Sequence, residues 1–311
     1  MKKNTKIIIT VLILVLLCVG GFVGYKGIKF FQEKYHFLRE NLVEVNDKLD
    51  KHIEATSHYD FDYSWIKDNV TVSHGLGALG STKSKIYSNS LNAFETNYEL
   101  GQRVFEVDFD ITEDLYTVCS HDEEFWRYNA EIDDSEPFTY QNFINSKIYT
   151  KYEPLDYKGI IDILNKYKDA YIITDTKYFD KERVYLQFSQ LVNYANETNP
   201  EILDRIIPQI YNEDMLGFVM NVYPFKSMIY TLYQTQWTAE EVAEFCIESG
   251  INFVTVSCDA AGYEDIYYWN AYGINVAVHT INDVETAKDY LDFGTKMIYT
   301  DVLLKSDFGE N

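Results

Sequence analysis

The chain contains three short apolar runs near its C-terminus: Phe253-Val-Thr-Val-Ser257, Asn275-Val-Ala-Val278 and Met297-Ile-Tyr299. Helical patterns occur before the first run, at Ala239–Ser249, and before the last, at Asp283–Phe293. Short β-branched runs that alternate with helical patterns are typical of parallel strands joined by helical crossovers. This stretch therefore predicts an α/β fold built on a parallel sheet.

The same alternation extends upstream through most of the chain. Five earlier runs are strand-like: Val70–Ser73, Val104–Phe109, Tyr171–Thr174, Arg205–Ile210 and Met228–Leu232. Helical patterns cover Ser90–Leu100, Tyr157–Tyr167 and Lys181–Glu197. Eight strands of this kind can close a (β/α)8 TIM barrel, and a doubly wound sheet would use the same alternation. We favour the barrel and assign it to residues 67–311.

Length and composition limit the class of protein. The 311 residues fit one barrel of roughly 250 residues with an N-terminal appendage. Lysine and arginine number 27 against 49 acidic residues, which gives a net charge of −22. Such a surface repels nucleic-acid backbones, so we expect no nucleic-acid partner, and an anionic substrate would need a cation. Four cysteines without zinc-ligand spacing predict free thiols.

The first segment of the chain predicts a membrane anchor. Ile7–Tyr25 is an uncharged, mostly aliphatic run of 19 residues, which as a helix covers about 28 Å, close to the ~30 Å hydrocarbon core. We assign residues 1–26 to a basic tail and an uncleaved transmembrane helix. A cleaved signal peptide and a buried apolar helix are the alternatives. A lipid anchor at Cys18 is disfavoured because bulky Leu17 precedes it.

Membrane sidedness follows less directly from the sequence. Three lysines precede the apolar run and four basic residues follow it closely, so the positive-inside count does not decide. The short basic tail favours a cytoplasmic N-terminus. We therefore expect a single-pass cell-membrane protein with its barrel outside.

Residues 27–66 are predicted to form a juxtamembrane stalk. Apolar residues recur there at steps of four and three, at Phe31, Tyr35, Leu38, Leu42, Val45 and Leu49. This stripe predicts a helix, but it runs for fewer than three heptads. A single helix lying on the membrane or on the barrel and a dimerising coiled coil both remain open.

The second predicted strand is followed by another β-like run instead of a helix. A polar corner joins the two runs and predicts a β-hairpin with its turn at Glu113–Asp114. In that register Glu106 faces His121 and Asp108 faces Cys119. Because side chains two residues apart share a face of a strand, Glu106, Asp108 and His121 could point into one space.

Two carboxylates and an imidazole on one face would be costly in a core unless they are paired or bind an ion. A cation site beside an acid–base histidine accounts for all three groups. A salt-bridged rim without a cation is the structural alternative.

Several short motifs along the chain together resemble the glycerophosphodiester phosphodiesterase family, which is related to the bacterial phosphatidylinositol-specific phospholipases C. The resembling motifs are Ser73-His74-Gly75, Tyr87-Ser-Asn89-Ser90, Ala93-Phe94, Glu106-Val107-Asp108, Thr112…Asp114, His121-Asp122, Asp175-Thr-Lys177, His279-Thr280-Ile-Asn282 and Thr300-Asp301. They occur in the family's order, from about residue 70 to residue 303. Any one of them is weak, but the ordered set is fairly specific.

The resemblance implies a TIM barrel with a divalent cation, usually Ca²⁺ or Mg²⁺, at its C-terminal rim. Glu106 and Asp108 match two of the family's metal ligands, and Asp175 lies where the third is usually Glu. Oxygen ligands of this kind suit hard cations. His74 and His121 match the general base and the general acid, which deprotonate a hydroxyl or water and protonate the leaving alkoxide.

The resemblance also suggests residues that bind the substrate. Lys177, together with the cation, could stabilise the growing negative charge of the phosphate. Asn89 is a further candidate, although it could instead cap the helix that starts at Ser90. Gln209 and Tyr211, at a predicted strand end, could reach the substrate or only pack. His279 is expected in the pocket wall or in the core.

Four positions depart from the family's pattern. Gly75 stands where the family has Arg, and Tyr87-Ser88 replaces Pro-Glu. Asp175 is one methylene shorter than Glu, and His279 replaces Trp. The first change removes a bidentate phosphate contact. These changes bear on which substrate the pocket accepts.

Three functions fit the sequence. The first is a membrane-anchored, metal-dependent phosphodiesterase that hydrolyses glycerophosphodiesters or related polyol-phosphate esters, including lipid headgroups or anionic wall polymers. The second is a phospholipase C-like or sugar-phosphate-cleaving variant on the same barrel. The third is a catalytically inactive barrel that binds a ligand at the membrane.

Overall fold

The computed structural model describes residues 58–80 and 84–309. The predicted anchor at residues 7–25 and the stalk stripe at residues 31–49 lie outside the described residues. Of the helices that the structure describes, none is both long enough and apolar enough to span a membrane.

Eight parallel strands form a closed barrel. The strands are β1 (Thr71–Ser73), β2 (Val104–Ile111), β4 (Tyr171–Asp175), β5 (Ile206–Ile210), β6 (Ile229–Thr231), β7 (Phe253–Ser257), β8 (Asn275–His279) and β9 (Met297–Thr300). Each pairs with its neighbour in chain order, and β1 pairs with both β2 and β9, which closes the sheet. The (β/α)8 prediction is confirmed, and the doubly wound alternative is wrong.

Nine α-helices are found in the described part of the chain. They are α1 (Leu91–Glu99), α2 (Glu123–Ala130), α3 (Tyr140–Asn145), α4 (Tyr157–Lys166), α5 (Lys181–Thr198), α6 (Glu213–Val222), α7 (Ala239–Ser249), α8 (Tyr263–Ala271) and α9 (Val284–Phe293). Most begin at a Ser, Thr, Asp or Asn whose side chain accepts a hydrogen bond from the first turn, as helix N-termini require. These caps fix where each crossover turns back onto the barrel.

The barrel has two apolar layers because its strands alternate inward and outward. Inward residues such as Val104, Ile173 and Phe253 form a small cluster inside the barrel, and the larger cluster lies between the strands and the helices. Trp65, from the short 3₁₀ turn Ser64–Ile66, packs against the inner cluster. Residues 58–66 were predicted as the end of the stalk. Through Trp65, they contribute to the packed interior of the barrel.

The predicted hairpin is present, but its register was wrong by one residue. Strand β3 (Thr117–Cys119) pairs antiparallel with β2, and Phe109, not Asp108, lies opposite Cys119. The loop is three residues long and centred on Asp114. Its turn is closed by the backbone N–H of Leu115, which donates to the carbonyl of Thr112 (2.9 Å), and Leu115 adopts a φ of +68°. The expected pairing of Glu106 with His121 does not form, since the ladder ends at Cys119.

Candidate active site

The C-terminal ends of the barrel strands surround a narrow polar cavity, which we call the catalytic cavity. It is lined by His74, Glu106, Asp175, Gln209, Tyr211, Thr231, Tyr233, His279 and Tyr299. Inward side chains of parallel strands converge at this end of a barrel, which is where barrel enzymes place their active sites. The structure therefore brings together most of the side chains that the sequence singled out.

Three carboxylates from adjacent strands form the acidic wall of the site. Oxygens of Glu106, Asp108 and Asp175 lie within 4.8 Å of one another. Asp108 and Asp175 are direct register partners on β2 and β4, and Glu106 lies two residues before Asp108 on the same face. One oxygen each of Glu106 and Asp175 is buried without a hydrogen-bond partner in the described structure. These oxygens can hold a hard divalent cation.

The proximity of these acids shifts their pKa values. Burial, together with the negative charge of Asp108, raises the pKa of Glu106 to about 8. Burial also raises the pKa of Asp175. Burial opposes ionisation of Asp108 too, but the positive charge of Lys177 outweighs it and the pKa of Asp108 is lowered. Three adjacent carboxylates can all ionise only if further positive charge offsets them.

Lys177 supplies part of that positive charge. Its ammonium lies 2.6 Å from Asp108 and also forms an ion pair with Asp175. The charges of the acids outweigh burial and raise the pKa of Lys177 further, so it stays protonated. These ion pairs place the Lys177 ammonium directly against two of the three carboxylates of the acidic wall.

His74 lies opposite the carboxylates at the end of β1. Its Nδ1 is 3.0 Å from Oδ1 of Asp301 and 3.2 Å from the hydroxyl of Thr280, and its Nε2 is 3.9 Å from Glu106. Burial works to lower the pKa of His74, but the hydrogen bond to Asp301 and the charge of Glu106 outweigh it and raise the pKa to about 9. Asp301 thus fixes the imidazole by Nδ1 and leaves Nε2 toward the cavity.

Asp301 is itself held in place. The side-chain amide of Asn282 donates to Oδ2 of Asp301 (2.6 Å), and the backbone N–H of Asp301 donates to Oδ1 of Asn282 (2.8 Å). The motifs containing these two residues were noted in the sequence. Their partnership with His74 was not, because the partners are 227 residues apart along the chain.

Asn89 belongs to the metal-ligand side of the site. Its amide donates to Oδ2 of Asp108 (2.8 Å) and its carbonyl oxygen accepts from the backbone N–H of Asp108 (3.0 Å). The cap of helix α1 is instead Ser90, whose hydroxyl accepts from Ala93. Asn89 therefore orients a carboxylate, and the capping alternative is wrong.

His121 lies farther out, in the loop between β3 and α2. Its side chain is 41% exposed, and its Nδ1 is 2.7 Å from Asp122, which also caps α2. The ring of Tyr87 contacts both histidines, with its centroid 4.6 Å from that of His74 and 5.8 Å from that of His121. Tyr87 thus links the two imidazoles, and His121 is not among the described residues that line the catalytic cavity.

The departure at Gly75 has a structural cause. Gly75 adopts a φ of +53°, and a Cβ there would lie 2.8 Å from the Cα of Tyr87. Its backbone N–H donates to Glu106 (2.7 Å). The close approach of the backbone of residue 87 therefore leaves no room for a side chain at position 75. This role of Tyr87 was missed in the sequence.

Gln209 and His279 both reach the cavity wall. The carbonyl oxygen of Gln209 accepts from the hydroxyl of Tyr299 (2.8 Å). Burial, with the positive charges of His74 and Lys177, lowers the pKa of His279 to about 4. A neutral His279, whose Nε2 has no hydrogen-bond partner among the described residues, is a polar wall residue and not a source of charge.

A family model named the glycerophosphoryl diester phosphodiesterase family matches residues 77–305. The chain belongs to this family. It is therefore a phosphoric diester hydrolase, in agreement with the resemblance seen in its motifs. None of the curated proteins matches the chain.

Solved structures of this family share the fold. A glycerophosphodiester phosphodiesterase from Parabacteroides distasonis matches with a TM-score of 0.59 at 17% identity, over 78% of this chain and 97% of that chain. A phosphodiesterase from Oleispira antarctica, in complex with the product sn-glycerol-3-phosphate, matches with a TM-score of 0.63 at 14% identity over the same shares. A Thermotoga maritima glycerophosphodiester phosphodiesterase matches with a TM-score of 0.52 at 17% identity, over 75% and 95%.

Proposed function

We propose that this family member is a membrane-anchored, metal-dependent hydrolase of glycerophosphodiesters or related polyol-phosphate esters. The observation that carries the proposal is the acidic wall of Glu106, Asp108 and Asp175 directly opposite the His74–Asp301 pair. The uncharged run Ile7–Tyr25 supports the anchor, with the N-terminus in the cytoplasm and the barrel outside. Headgroup diesters or anionic wall polymers are then accessible substrates.

The residues present fit a divalent cation. Glu106, Asp108 and Asp175 would hold Ca²⁺ or Mg²⁺, and the unpartnered oxygens of Glu106 and Asp175 leave ligand positions for it. When bound, the cation polarises a phosphoryl oxygen and offsets the charge that develops there. Lys177 adds a second positive charge beside Asp108, and Asn89 keeps Asp108 in position.

His74 is proposed to act as the general base. Asp301 fixes its Nδ1, so Nε2 can take the proton of an attacking hydroxyl or water. With the carboxylates uncompensated, a pKa of about 9 keeps His74 protonated at neutral pH. Positive charge among Glu106, Asp108 and Asp175 would offset the charges of Glu106 and Asp108 that help to raise this pKa, and so make the proton of His74 easier to lose.

His121 is proposed to act as the general acid. It is the more exposed imidazole, and its ring contacts Tyr87, which also contacts His74. From there it can protonate the alkoxide that leaves toward solvent. The sn-glycerol-3-phosphate in the Oleispira antarctica complex supports a substrate in which one ester arm is glycerol.

The test is cleavage of a glycerophosphodiester panel and of phosphatidylinositol by the full chain in detergent, with Ca²⁺, Mg²⁺ or chelator. His74→Ala and His121→Ala are each expected to lose about 10²–10⁴-fold in kcat. Faster turnover of the phospholipid would favour the phospholipase C-like alternative. Metal binding by a folded protein without turnover of any substrate would favour the inactive, ligand-binding alternative, and turnover indifferent to chelator would refute the metal-dependent mechanism.

A further inference from the structure

We propose that Asp110 and Tyr178 form a positioning pair, which holds the ammonium of Lys177 against the acidic wall. Tyr178 follows Lys177 in the segment of residues 176–180, called the β4–α5 segment, and its hydroxyl donates a hydrogen bond to Asp110 on β2. Neither member of the pair is among the described residues that line the catalytic cavity, so both would act through Lys177. The proposal rests on the proposed function, in which Lys177 supports the reaction beside the metal ligands.

Asp110 is a buried carboxylate that the proposed mechanism does not use. It lies on the face of β2 that carries Glu106 and Asp108, because residues two apart share a face of a strand, and its exposed fraction is 6%. Strand β4 ends at Asp175, the register partner of Asp108, so Asp110 lies beyond the end of β4. A buried charge needs a partner, and the third acid of this row finds it in the β4–α5 segment through Tyr178.

The backbone of the β4–α5 segment is strained at Lys177. This residue has a φ of +56°, in the left-handed region that residues other than glycine seldom adopt. The backbone N–H of Tyr178 donates to the carbonyl of Thr176 (2.7 Å), which makes Lys177 the central residue of a γ-turn. Such turns are rare and strained when the central φ is positive. A strained residue keeps its conformation only where the surrounding structure holds it.

Tyr178 attaches this turn to the barrel. Its hydroxyl reaches Asp110 on β2, and its carbonyl accepts from the hydroxyl of Thr176 (3.1 Å). The guanidinium of Arg183, on α5, lies 4.1 Å from the centroid of the Tyr178 ring, in a cation–π contact. Burial and the negative charge of Asp110 raise the pKa of Tyr178, so its hydroxyl stays protonated and donates. The tyrosine is therefore held from β2 and from α5.

Fixing Tyr178 limits how far the lysine before it can move. The ammonium of Lys177 lies 2.6 Å from Asp108 and also pairs with Asp175. If the turn relaxed, the flexible lysine side chain would leave these carboxylates. The phosphate would then lose a positive charge, whereas a Ca²⁺ ion at Glu106, Asp108 and Asp175 would lose a competing one. Loss of the pair should therefore lower kcat and tighten Ca²⁺ binding, while a general disturbance of the ligands would weaken both.

A purely structural role for the pair is the alternative. Asp110 also accepts from the backbone N–H of Ile111 (2.7 Å), and the hydroxyl of Tyr178 would then serve only to stabilise a buried charge. A second tyrosine–aspartate pair provides the matched control. The hydroxyl of Tyr140 donates to Asp156 (2.8 Å), whose exposed fraction is also 6%, and this pair lies outside the β4–α5 segment.

The experiment compares Tyr178→Phe with Tyr140→Phe in the full chain in detergent. It measures kcat for the glycerophosphodiester that the wild type cleaves fastest, and the Kd for Ca²⁺ by calorimetry. Tyr178→Phe should lower kcat by about tenfold or more and lower the Kd by about threefold or more. In a Lys177→Met background it should change neither further, because the lysine through which it acts is gone. Tyr140→Phe should leave both unchanged.

Two variants of the partner residue test the same hydrogen bond from its other side. Asp110→Asn keeps an oxygen that can accept from Tyr178, whereas Asp110→Ala does not. The asparagine variant should therefore retain a kcat about tenfold above that of the alanine variant. Equal kcat in these two variants would contradict a role for the hydrogen bond.

Unchanged kcat and Kd in Tyr178→Phe would overturn the proposal, and so would weaker Ca²⁺ binding, which indicates disturbed ligands. An equal loss of kcat in the Lys177→Met background would also overturn it, because the effect would not pass through Lys177. If the wild type hydrolyses no ester, the proposed function fails, and the Kd for Ca²⁺ still tests the pair. Tighter binding that requires Lys177 would support the pair, and unchanged or weaker binding would refute it.

Discussion

The close approach of Gly75 and Tyr87 leads to a quantitative prediction. In Gly75→Ala, the new Cβ would lie 2.8 Å from the Cα of Tyr87, a backbone atom, at a residue with a φ of +53°. The left-handed conformation costs a residue with a Cβ about 1 kcal/mol, and relieving the overlap adds about 1–3 kcal/mol. We therefore expect a loss of about 2–4 kcal/mol in the free energy of unfolding.

Denaturant unfolding measures this loss, and Gly273→Ala is the matched control. Gly273 has a φ of +78°, and a Cβ there meets nothing within 4 Å, so only the backbone strain of about 1 kcal/mol should appear. Any shift of Tyr87 also moves the ring that contacts both His74 and His121, so kcat of Gly75→Ala should fall by about tenfold or more. Equal destabilisation by both variants, with unchanged kcat, would refute the proposed coupling.

The remaining predictions concern the charges of the site. Asp301→Asn should lower kcat by about 10²-fold and shift the pH profile of kcat to lower pH, because the imidazole of His74 loses its anionic partner. An unchanged pH profile of kcat would exclude Asp301 as the group that orients His74. Lys177→Met should destabilise the metal-free protein by about 3 kcal/mol, because Asp108 and Asp175 lose their paired charge. In thermal unfolding, added Ca²⁺ should restore most of this loss. No loss of stability would contradict the ion pairs. In chelator, the free energy of unfolding should fall as pH rises from about 5 to 9. The pKa of Glu106 is raised from 4.5 to about 8 and that of His74 from 6.5 to about 9, so the folded state binds these protons more tightly than the unfolded chain. For His74 alone the loss is about 3 kcal/mol, and added Ca²⁺ should stabilise the protein more at pH 8 than at pH 6. A flat profile in chelator would contradict both shifts.

The barrel could be predicted because its strands carry their own signal. All eight apolar runs became barrel strands, since strands buried on both faces read as short, nearly continuous hydrophobic segments. Helices α2, α3, α6 and α8 were missed, because they are short or lack a clear apolar stripe. The helix Tyr263–Ala271, for example, buries only Ile266 and Trp269. Such helices are set by packing onto the barrel more than by their own pattern.

The site was predictable only where its residues lie close together in sequence. Glu106 and Asp108 share a face because they are two residues apart on one strand. The register of the hairpin was not predictable, because it depends on the left-handed Leu115 in the turn, a conformation that leucine seldom adopts. The partnership of Asp301 with His74 depends on closure of the barrel, which brings β9 beside β1.

The charge balance of the site explains why these shifts occur together. Four carboxylates, those of Glu106, Asp108, Asp175 and Asp301, surround one lysine and one imidazole. Even with Lys177 and a protonated His74, two negative charges remain uncompensated, so Glu106 and Asp175 hold protons more tightly than usual. One divalent cation supplies the two missing positive charges. A singly charged phosphodiester brings back only one negative charge. The same balance therefore destabilises the metal-free site at high pH and, once a cation is bound, removes the local negative charge that would repel an anionic diester.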